Sequence, residues 1–162
     1  MAKKQKGTLK ITLALGLVGI LQKRTLDKAS KNGKKAQAAT LRSILEYAKN
    51  SEWGVKHKYA EILAAASDEE LVKKFQENVP PCDYEDLRPY VERHKNGEAN
   101  VLFPGKPMMY ATTSGTTKEP KWIPITDEYY SNVYSKMSKL WLYSFMMHRP
   151  KVFYNVCTSI VG

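Results

Sequence analysis

The sequence predicts an α/β fold in which helices precede a short β-loop-β element. Up to about residue 95 the apolar residues recur with helical spacing. After residue 100 the chain turns to short β-rich pieces, PMMYATT and KWIPIT, joined by a loop of small hydroxyl residues. A long helix and a last β-rich piece, KVFYNVCTSIV, should follow. We expect the fold to be incomplete, because no helix follows that last strand to cover it.

Spacing and capping residues predict the helices before residue 80. In AQAATLRSILEYAKN four apolar residues share one face at spacings of three and four: Leu41, Ile44, Leu45 and Ala48. The short alanine-rich stretch from Tyr59 to Ala66 favours a second helix. Ser67 and Glu70 have the spacing of a capping box, so a third helix should begin at Ser67.

Two further helices are predicted before and after the β-rich pieces. One covers Tyr84–Lys95 and is ended by Gly97, with a kink or a break at Pro89. The other follows Thr126, a typical capping residue, and runs to about Met147. Its stripe of aromatic residues and methionines is expected to be core, not a cofactor site.

Charge is distributed unevenly along the 162 residues. The net charge is +10, but residues 1–35 alone carry ten Lys and Arg against one acid. We therefore expect a basic and apolar arm over residues 1–35 and a nearly neutral folded body over residues 36–162. A nucleic-acid-binding domain is expected to carry its basic stripe on the body. We expect no nucleic-acid partner; a non-enzymatic module whose arm binds nucleic acid or an anionic membrane is an alternative.

The arm combines a basic start with thirteen mostly apolar residues, Leu9–Leu21. This pattern resembles a secretory signal, but Gln22, Lys23 and Arg24 follow where a small-residue cleavage site would lie. Thirteen residues are also too few to span a bilayer. We expect a helix that packs on its own protein, without membrane contact. A membrane-surface helix and a cleaved signal are the alternatives.

Cysteines and histidines give no sign of a disulfide or of a metal site. Cys82 and Cys157 are far apart and show no pairing pattern, which fits a reducing cytosol. His57, His94 and His148 have no metal-ligand spacing and are expected to be surface or packing residues. The sequence therefore predicts a cytoplasmic protein without metal-ligating residues.

The stretch YATTSGTTKEPKWIPIT, from Tyr110 to Thr126, contains the main functional signal. Between Thr112 and Lys121 it places five small hydroxyl residues, one glycine and two lysines in ten positions. Backbone N–H groups and hydroxyls form anion-binding concavities, glycine permits close approach and lysine supplies charge. The motif is not a Walker A loop, because it has one glycine and no Ser or Thr after Lys121. It indicates a polyphosphate-binding loop, with a polar surface turn as the alternative.

A resemblance to a known family narrows this interpretation. The motif T-S-G-T-T-x-x-P-K, Thr113–Lys121, resembles the phosphate-loop signature of the adenylate-forming superfamily, S/T-S-G-S/T-S/T-x-x-x-K. With KWIPIT, NVPPCDYEDLRPYVERHKNGEANVLFPG and AQAATLRSILEYAKNSEWG, the chain resembles the auxin-responsive Gretchen Hagen family of acyl acid amido synthetases. The similarity covers roughly Ala36–Gly162. Lys118 departs from the glycine of many adenylate-forming enzymes, a change that we expect the loop to tolerate.

This resemblance implies the fold, the reaction and the ligands. Residues 36–162 would be the N-terminal portion of the large adenylation domain. The whole enzyme would activate a carboxylic acid with ATP as an acyl-adenylate and then conjugate it to an amine, typically an amino acid. Mg²⁺ is expected with the nucleotide. The ATP phosphates would be bound by Thr113, Ser114, Gly115, Thr116, Thr117 and Lys121, with Lys121 as the candidate catalytic cation.

The resemblance also implies what this chain lacks. In the family the residues that bind adenine and ribose, and a mobile C-terminal domain, come later in the sequence. The missing C-terminal portion of the same chain is therefore an expected partner, and we expect the 162 residues to be inactive alone. The enzymatic alternative is another adenylate-forming enzyme, such as an acyl-CoA ligase, which shares the loop.

Overall fold

The structure is a computed structural model that describes residues 2–113 and 119–148, with side chains from residue 16 onward. These residues are mostly helical and contain one two-stranded antiparallel sheet, which is compatible with part of an α/β domain. They form two compact units, residues 32–127 and the two flanking segments up to residue 31 and from residue 128. The predicted last strand, KVFYNVCTSIV, lies outside the described residues.

The helices and strands have the following bounds. In chain order they are α1 (Ala2–Lys31), α2 (Gly33–Ala48), α3 (Glu52–Lys56), α4 (Tyr59–Leu63), α5 (Asp68–Asn78), α6 (Tyr84–Lys95), β1 (Met109–Thr112), β2 (Trp122–Ile125), α7 (Asp127–Tyr129), a π-helical stretch (Tyr130–Tyr134) and α8 (Ser135–His148). The long helix expected after Thr126 is therefore present, and it contains a π-helical stretch that has no signal in the sequence.

In the unit of the flanking segments, α1 packs on α8. At Gly19 the two helices are so close that an added Cβ would lie 2.2 Å from the Cβ of Tyr143. Only glycine fits at this position, because real Cβ atoms do not approach other atoms to that distance. The helix predicted for the arm is present, and it packs on a helix of its own chain.

The aromatic and methionine stripe of α8 is not core in the described part of the chain, contrary to the expectation from the sequence. Met137 is 58% exposed and Trp141 is 59% exposed. Within its unit α8 contacts α1 and the preceding π-helical stretch, and these two neighbours do not cover all sides of a 14-residue helix.

The core of residues 32–127 lies where α2, α4 and α5 meet. Leu45, Ile62 and Leu71 are almost fully buried, and Ala48 and Tyr59 complete the cluster. Burying one large aliphatic side chain contributes about 1.5–3 kcal/mol, so each of these three residues adds substantially to the stability of this unit.

One predicted core residue of α2 is exposed. Leu45 and Ala48 are buried as expected, but Ile44 is 56% exposed. The buried stripe also includes Ala38, seven residues before Leu45 and therefore on the same face of the helix. Ile44 lies at the edge of that stripe, because each residue turns about 100° around the helix axis.

Local capping interactions begin and end the helices, as predicted for Ser67 and Gly97. The Ser67 hydroxyl accepts the Glu70 N–H at 3.1 Å, and α5 follows directly. At the start of α6, Asp83 and Asp86 form a capping box, in which the side chain of each accepts the backbone N–H of the other. Gly97 follows α6 with a φ of +89°, a conformation that favours glycine.

Pro89 lies inside α6 without dividing it. Of the two predicted alternatives, a kink or a break, the break is wrong, because α6 runs from Tyr84 to Lys95 as one helix. A proline removes one backbone donor, but the capping box holds the first turn of α6. The backbone N–H groups of Asn96 and Gly97 donate to carbonyl oxygens of the last turn.

The turn between α2 and α3 requires glycine at position 54. The buried Ser51 hydroxyl donates to the Ala48 carbonyl oxygen at 2.7 Å and accepts the Gly54 N–H at 3.1 Å. An added Cβ on Gly54 would lie 2.1 Å from the same carbonyl oxygen. The two helices therefore meet at a separation that a larger residue prevents.

A segment after α6 pairs with this turn. The Glu52 N–H donates to the Asn100 carbonyl oxygen, and the Trp53 N–H donates to the Val101 carbonyl oxygen, both at 2.9 Å. Val101 is fully buried. The segment therefore connects α6 to the helical core.

His94 of α6 binds the same segment through both ring nitrogens. The Leu102 N–H donates to Nε2 at 3.1 Å, and Nδ1 bonds the Glu98 carbonyl oxygen at 3.0 Å. Because an N–H only donates and a carbonyl only accepts, the ring is neutral with its proton on Nδ1. Burial lowers the pKa of His94 below its usual value.

Gly54→Ala should destabilise residues 32–127 by about 1–3 kcal/mol, because the new methyl group overlaps a backbone oxygen that cannot move away. Gly33→Ala is the matched control, since an added Cβ there meets nothing within 4 Å. Urea unfolding of both variants measures the difference. Equal urea midpoints for Gly54→Ala and Gly33→Ala would contradict the close approach of α2 and α3.

Acidification below about pH 6.5 should destabilise residues 32–127 through His94. Burial favours the neutral ring, so the unfolded chain binds the proton more tightly than the folded chain. The neutral His94 ring contributes its full stabilisation above the pKa that His94 has in the unfolded chain. This stabilisation is lost as the pH falls below that value.

The measurement is urea unfolding at a series of pH values between about 5 and 8. His94→Gln should reduce the pH dependence in this range, whereas the exposed-site control His148→Gln should preserve it. An unchanged pH dependence in His94→Gln would show that another group titrates.

Candidate functional site

The predicted β-loop-β element is an antiparallel hairpin formed by β1 and β2. Thr112 pairs with Trp122, and Tyr110 pairs with Pro124. The Thr113 N–H bonds to Lys121, so alternation along the ladder makes Tyr110–Pro124 a non-hydrogen-bonded pair. Proline is therefore tolerated in β2, because its missing N–H would point away from β1.

Thr113 and Lys121 close the hairpin at the end where the loop begins. The Thr113 N–H donates to the Lys121 carbonyl oxygen at 3.2 Å. In return, the Lys121 N–H donates to the Thr113 side-chain oxygen at 3.1 Å. The first and last residues of the predicted phosphate-binding motif are thus direct neighbours. This pairing is local geometry that the motif alone did not indicate.

The structure describes only the two ends of the motif. Ser114, Gly115, Thr116 and Thr117 lie outside the described residues, as does Lys118. The structure therefore brings together two of the six predicted site residues, Thr113 and Lys121. The assignment of all six to phosphate binding stays a prediction.

Tyr84, in the first turn of α6, holds the outer edge of β2. The Trp122 N–H donates to the Tyr84 hydroxyl oxygen at 2.8 Å. The Tyr84 hydroxyl donates to the Trp122 carbonyl oxygen at a longer distance, 3.4 Å. The outer edge of a strand exposes backbone N–H and C=O groups that have no strand partner. The single Tyr84 hydroxyl satisfies two of these groups, both on Trp122.

Two cations lie against the ring of the same tyrosine. The Lys121 ammonium nitrogen is 5.4 Å from the Tyr84 ring centroid, and the Arg88 guanidinium carbon is 5.1 Å from it. Both distances fall within the range of a cation–π interaction. Among the described residues no carboxylate pairs with the Lys121 ammonium.

Arg88 is paired with carboxylates, unlike Lys121. Its Nε and Nη2 donate to the two oxygens of Glu85 at 2.7 and 3.0 Å, and Nη1 reaches Glu119 at 3.3 Å. The bonds to Glu85 raise the pKa of Arg88 above its usual range. The Glu119 side chain is 84% exposed, so its pair with Arg88 is a solvent-screened contact beside the loop.

Sequence reasoning identified Thr113 and Lys121 but missed Tyr84 and Arg88. Tyr84 is 38 residues before Trp122, and no spacing rule connects the two positions. Tyr84 begins a predicted helix, where an aromatic residue has no special meaning in sequence. Only the packing of α6 beside β2 brings it to the hairpin.

A separate depression in the same unit, with a volume of about 510 Å³, is not part of this site. None of its lining residues belongs to the hairpin or to α6: Lys35, Ala39, Arg42, Ser43, Glu46, Leu63 and Asp68. Arg42 is occupied there, because it donates to the Leu63 carbonyl oxygen at 3.2 Å and lies 3.7 Å from Asp68. The Arg42 guanidinium is therefore already engaged within the protein.

Neither a metal-binding cluster nor a membrane-spanning helix is present in the part of the chain that the structure describes. No group of three or more His, Cys, Asp or Glu in it is arranged to hold a metal ion. No helix in it has an apolar stretch of sufficient length to cross a membrane.

The comparison with protein families identifies the class of this chain. The N-terminal domain of the GH3 family matches residues 22–160. The match covers most of the sequence, so the chain belongs to the GH3 family, the Gretchen Hagen family that its motifs resemble.

The individual relatives are synthetases by name. The chain is 41% identical over 69 residues to a probable indole-3-acetic acid-amido synthetase of Oryza sativa subsp. japonica, covering 41% of this chain and 15% of that protein. It is 32% identical over 108 residues to a jasmonoyl–L-amino acid synthetase of Nicotiana attenuata. That match covers 63% of this chain and 17% of the relative.

A third relative is an indole-3-acetic acid-amido synthetase of Arabidopsis thaliana, 33% identical over 101 residues, with coverage of 54% of this chain and 17% of that protein. The chain thus spans about a sixth of the length of these relatives. No solved structure matches the chain.

Thr113→Val should weaken the loop end of the hairpin, because valine keeps the shape but cannot accept the Lys121 N–H. The expected loss of stability is about 0.5–1.5 kcal/mol, typical of one hydrogen bond. The exposed Thr112→Val is the matched control and should stay within about 0.5 kcal/mol of wild type. Hydrogen exchange of the Lys121 amide measures the local effect, and equal exchange in both variants would contradict the bond.

Proposed function

We propose that this chain supplies the ATP polyphosphate-binding loop of a ligase that joins a carboxylic acid to an amino acid. The observation that carries the proposal is the closed end of the hairpin. Thr113 and Lys121, at the two ends of the motif, bond each other there. The motif therefore begins and ends at paired positions of the hairpin, and the hydroxyl and backbone N–H groups between them would surround the anion.

Membership of the GH3 family supports the type of reaction. The names of the relatives describe synthetases of indole-3-acetic acid amides and of jasmonoyl–amino acid conjugates. For the protein that contains this chain we propose the same type of chemistry. Its small-molecule partners would be a carboxylic acid and an amino acid, and its location the cytoplasm.

The proposed reaction has two steps. A carboxylate oxygen attacks the α-phosphorus of ATP, the bond to the β-phosphate breaks, and pyrophosphate leaves with the acyl-adenylate remaining. The amine nitrogen then attacks the acyl carbon, an amide forms, AMP leaves and the amine loses a proton. Negative charge builds on the leaving pyrophosphate in the first step, so a fixed cation beside it lowers the barrier.

The proposed roles of the loop residues follow from this charge. Lys121 would place its ammonium on the β- and γ-phosphate oxygens, since no carboxylate among the described residues neutralises it. Ser114, Thr116 and Thr117 would donate hydroxyl and backbone hydrogen bonds. Gly115 would permit close approach, and Thr113 would fix the loop entry through its bonds to Lys121.

Mg²⁺ is proposed only as a companion of the nucleotide. The described residues contain no cluster of carboxylates and histidines that fits the ion, so no step above depends on a protein-bound metal. Polyphosphate oxygens are the usual ligands of Mg²⁺ in nucleotide complexes.

Lys121→Met should reduce the affinity of the 162-residue chain for ATP and for inorganic tripolyphosphate about tenfold to a hundredfold, the typical loss of a charge-assisted hydrogen bond. Isothermal titration calorimetry measures it. Lys106→Met is the matched control, because Lys106 precedes β1 at the opposite end of the hairpin.

Equal affinities of the two lysine variants would contradict the phosphate-binding role of Lys121. The whole reaction is tested on the protein that contains this chain, by the release of AMP and pyrophosphate with an acid and an amino acid. Formation of a CoA thioester in place of the amide would identify an acyl-CoA ligase instead.

A further inference from the structure

Four backbone hydrogen bonds hold the two consecutive residues Lys121 and Trp122. Thr113 supplies two of them, one to the Lys121 carbonyl oxygen and one from the Lys121 N–H. Tyr84 supplies the other two, one from the Trp122 N–H and one to the Trp122 carbonyl oxygen. Every backbone polar group of these two residues is thus satisfied, from the β1 side by Thr113 and from the α6 side by Tyr84.

The ring of Tyr84 adds a contact with the side chain of Lys121. Its centroid lies 5.4 Å from the ammonium nitrogen. A lysine has four rotatable side-chain bonds, and fixing such a chain costs conformational entropy. An aromatic face beside the ammonium restricts these rotamers before any ligand binds, so part of that cost is met by the folded protein.

Tyr84 is itself fixed by the start of α6. The Asp83 side chain accepts the N–H groups of Glu85 and Asp86, and the Asp86 carboxylate accepts the Asp83 N–H at 2.9 Å. The tyrosine therefore stands between two capping residues on a rigid first turn. A side chain on a capped helix is a more accurate support for a functional group than one on a free loop.

We propose that Tyr84 is a positioning residue that holds Lys121 in the conformation that binds polyphosphate. The inference rests on the proposed function, because it assigns Lys121 the phosphate-binding role. Tyr84 does not contact the ligand. Its hydroxyl sets the backbone of β2 directly after Lys121, and its ring orients the ammonium.

A second tyrosine on α6 provides a matched control. Tyr90 is half-buried like Tyr84, but its hydroxyl accepts the Lys56 ammonium at 2.7 Å and does not bond the hairpin. Tyr84→Phe and Tyr90→Phe are the same chemical change on the same helix. A general effect of losing a tyrosine hydroxyl from α6 would appear in both variants.

The test is a double-mutant cycle on the 162-residue chain with inorganic tripolyphosphate as the probe. Tyr84→Phe should weaken binding about threefold to tenfold, the fold-change equivalent to one lost neutral hydrogen bond. In the Lys121→Met background the same change should have almost no effect, because Tyr84 acts through Lys121. Tyr90→Phe should leave the affinity unchanged.

The salt dependence of binding separates positioning from charge. Lys121→Met removes a cation and should make the affinity less sensitive to salt. Tyr84→Phe keeps all charges, so its affinity should fall without a change in salt dependence. A loss of salt dependence in Tyr84→Phe equal to that in Lys121→Met would overturn the positioning role.

The outcomes distinguish this inference from the proposed function. If the wild-type chain fails to bind tripolyphosphate, both are overturned. If it binds and Lys121→Met weakens binding while Tyr84→Phe does not, the role of Tyr84 alone is overturned. Equal losses from Tyr84→Phe in the wild-type and Lys121→Met backgrounds would also overturn it, because the effect would then be independent of Lys121.

A measurement on the wild-type chain keeps the inference falsifiable even if Tyr84→Phe does not fold. The ε-methylene protons of Lys121 should be shifted upfield in the NMR spectrum by the Tyr84 ring. Lys56, whose ammonium lies 5.3 Å from the Tyr90 centroid, serves as an internal reference for such a contact. An unshifted Lys121 signal would show that the ring does not hold the side chain and would overturn the proposal.

Discussion

The position of the hairpin depends on the contact between Tyr84 and the outer edge of β2. A two-stranded sheet is marginally stable by itself, because each strand has only one hydrogen-bonding neighbour. The Tyr84 hydroxyl satisfies two backbone groups of Trp122 on the side of β2 that faces away from β1. The Lys95 ammonium lies 4.5 Å from the Trp122 ring centroid, so α6 supports both the backbone and a side chain of β2.

This support is effective because α6 is joined to the helical core. Arg93 donates to the carboxylates of Glu52 in α3 and Glu98 after α6, and these bonds lower the pKa of both acids. All three side chains are partly exposed, so the network orients α6 more than it stabilises the fold. The buried bonds of His94 and the pairing of Trp53 with Val101 supply the solvent-protected part of the connection.

The charges around the hairpin have different roles according to their partners. Arg88 is engaged by Glu85 and Glu119, so its positive charge is largely offset within the protein. Lys121 has the aromatic ring of Tyr84 beside it and no carboxylate partner among the described residues. A cation that is oriented but not neutralised is the arrangement that favours binding of an external anion. Glu119 lies beside the loop and opposes that binding to a degree limited by its exposure.

The sequence by itself determined the local elements and the family of the chain. Ser67 and Gly97 mark helix ends through hydrogen bonds to groups three residues away, so their effect is readable without the fold. The hydroxyl-rich motif between two β-rich pieces likewise predicted the hairpin and led to the GH3 family. These signals are local in the chain.

Only the tertiary structure decided which surfaces meet. It left Ile44 at the edge of the buried stripe, exposed Trp141, and kept α6 whole despite Pro89, because burial depends on neighbours that are distant in sequence. It also placed Tyr84 against Lys121 and Trp122, across an interval of about 40 residues that no periodicity connects. The candidate binding residues could therefore be read from the motif. The residue that orients one of them could not, since its role comes from packing alone.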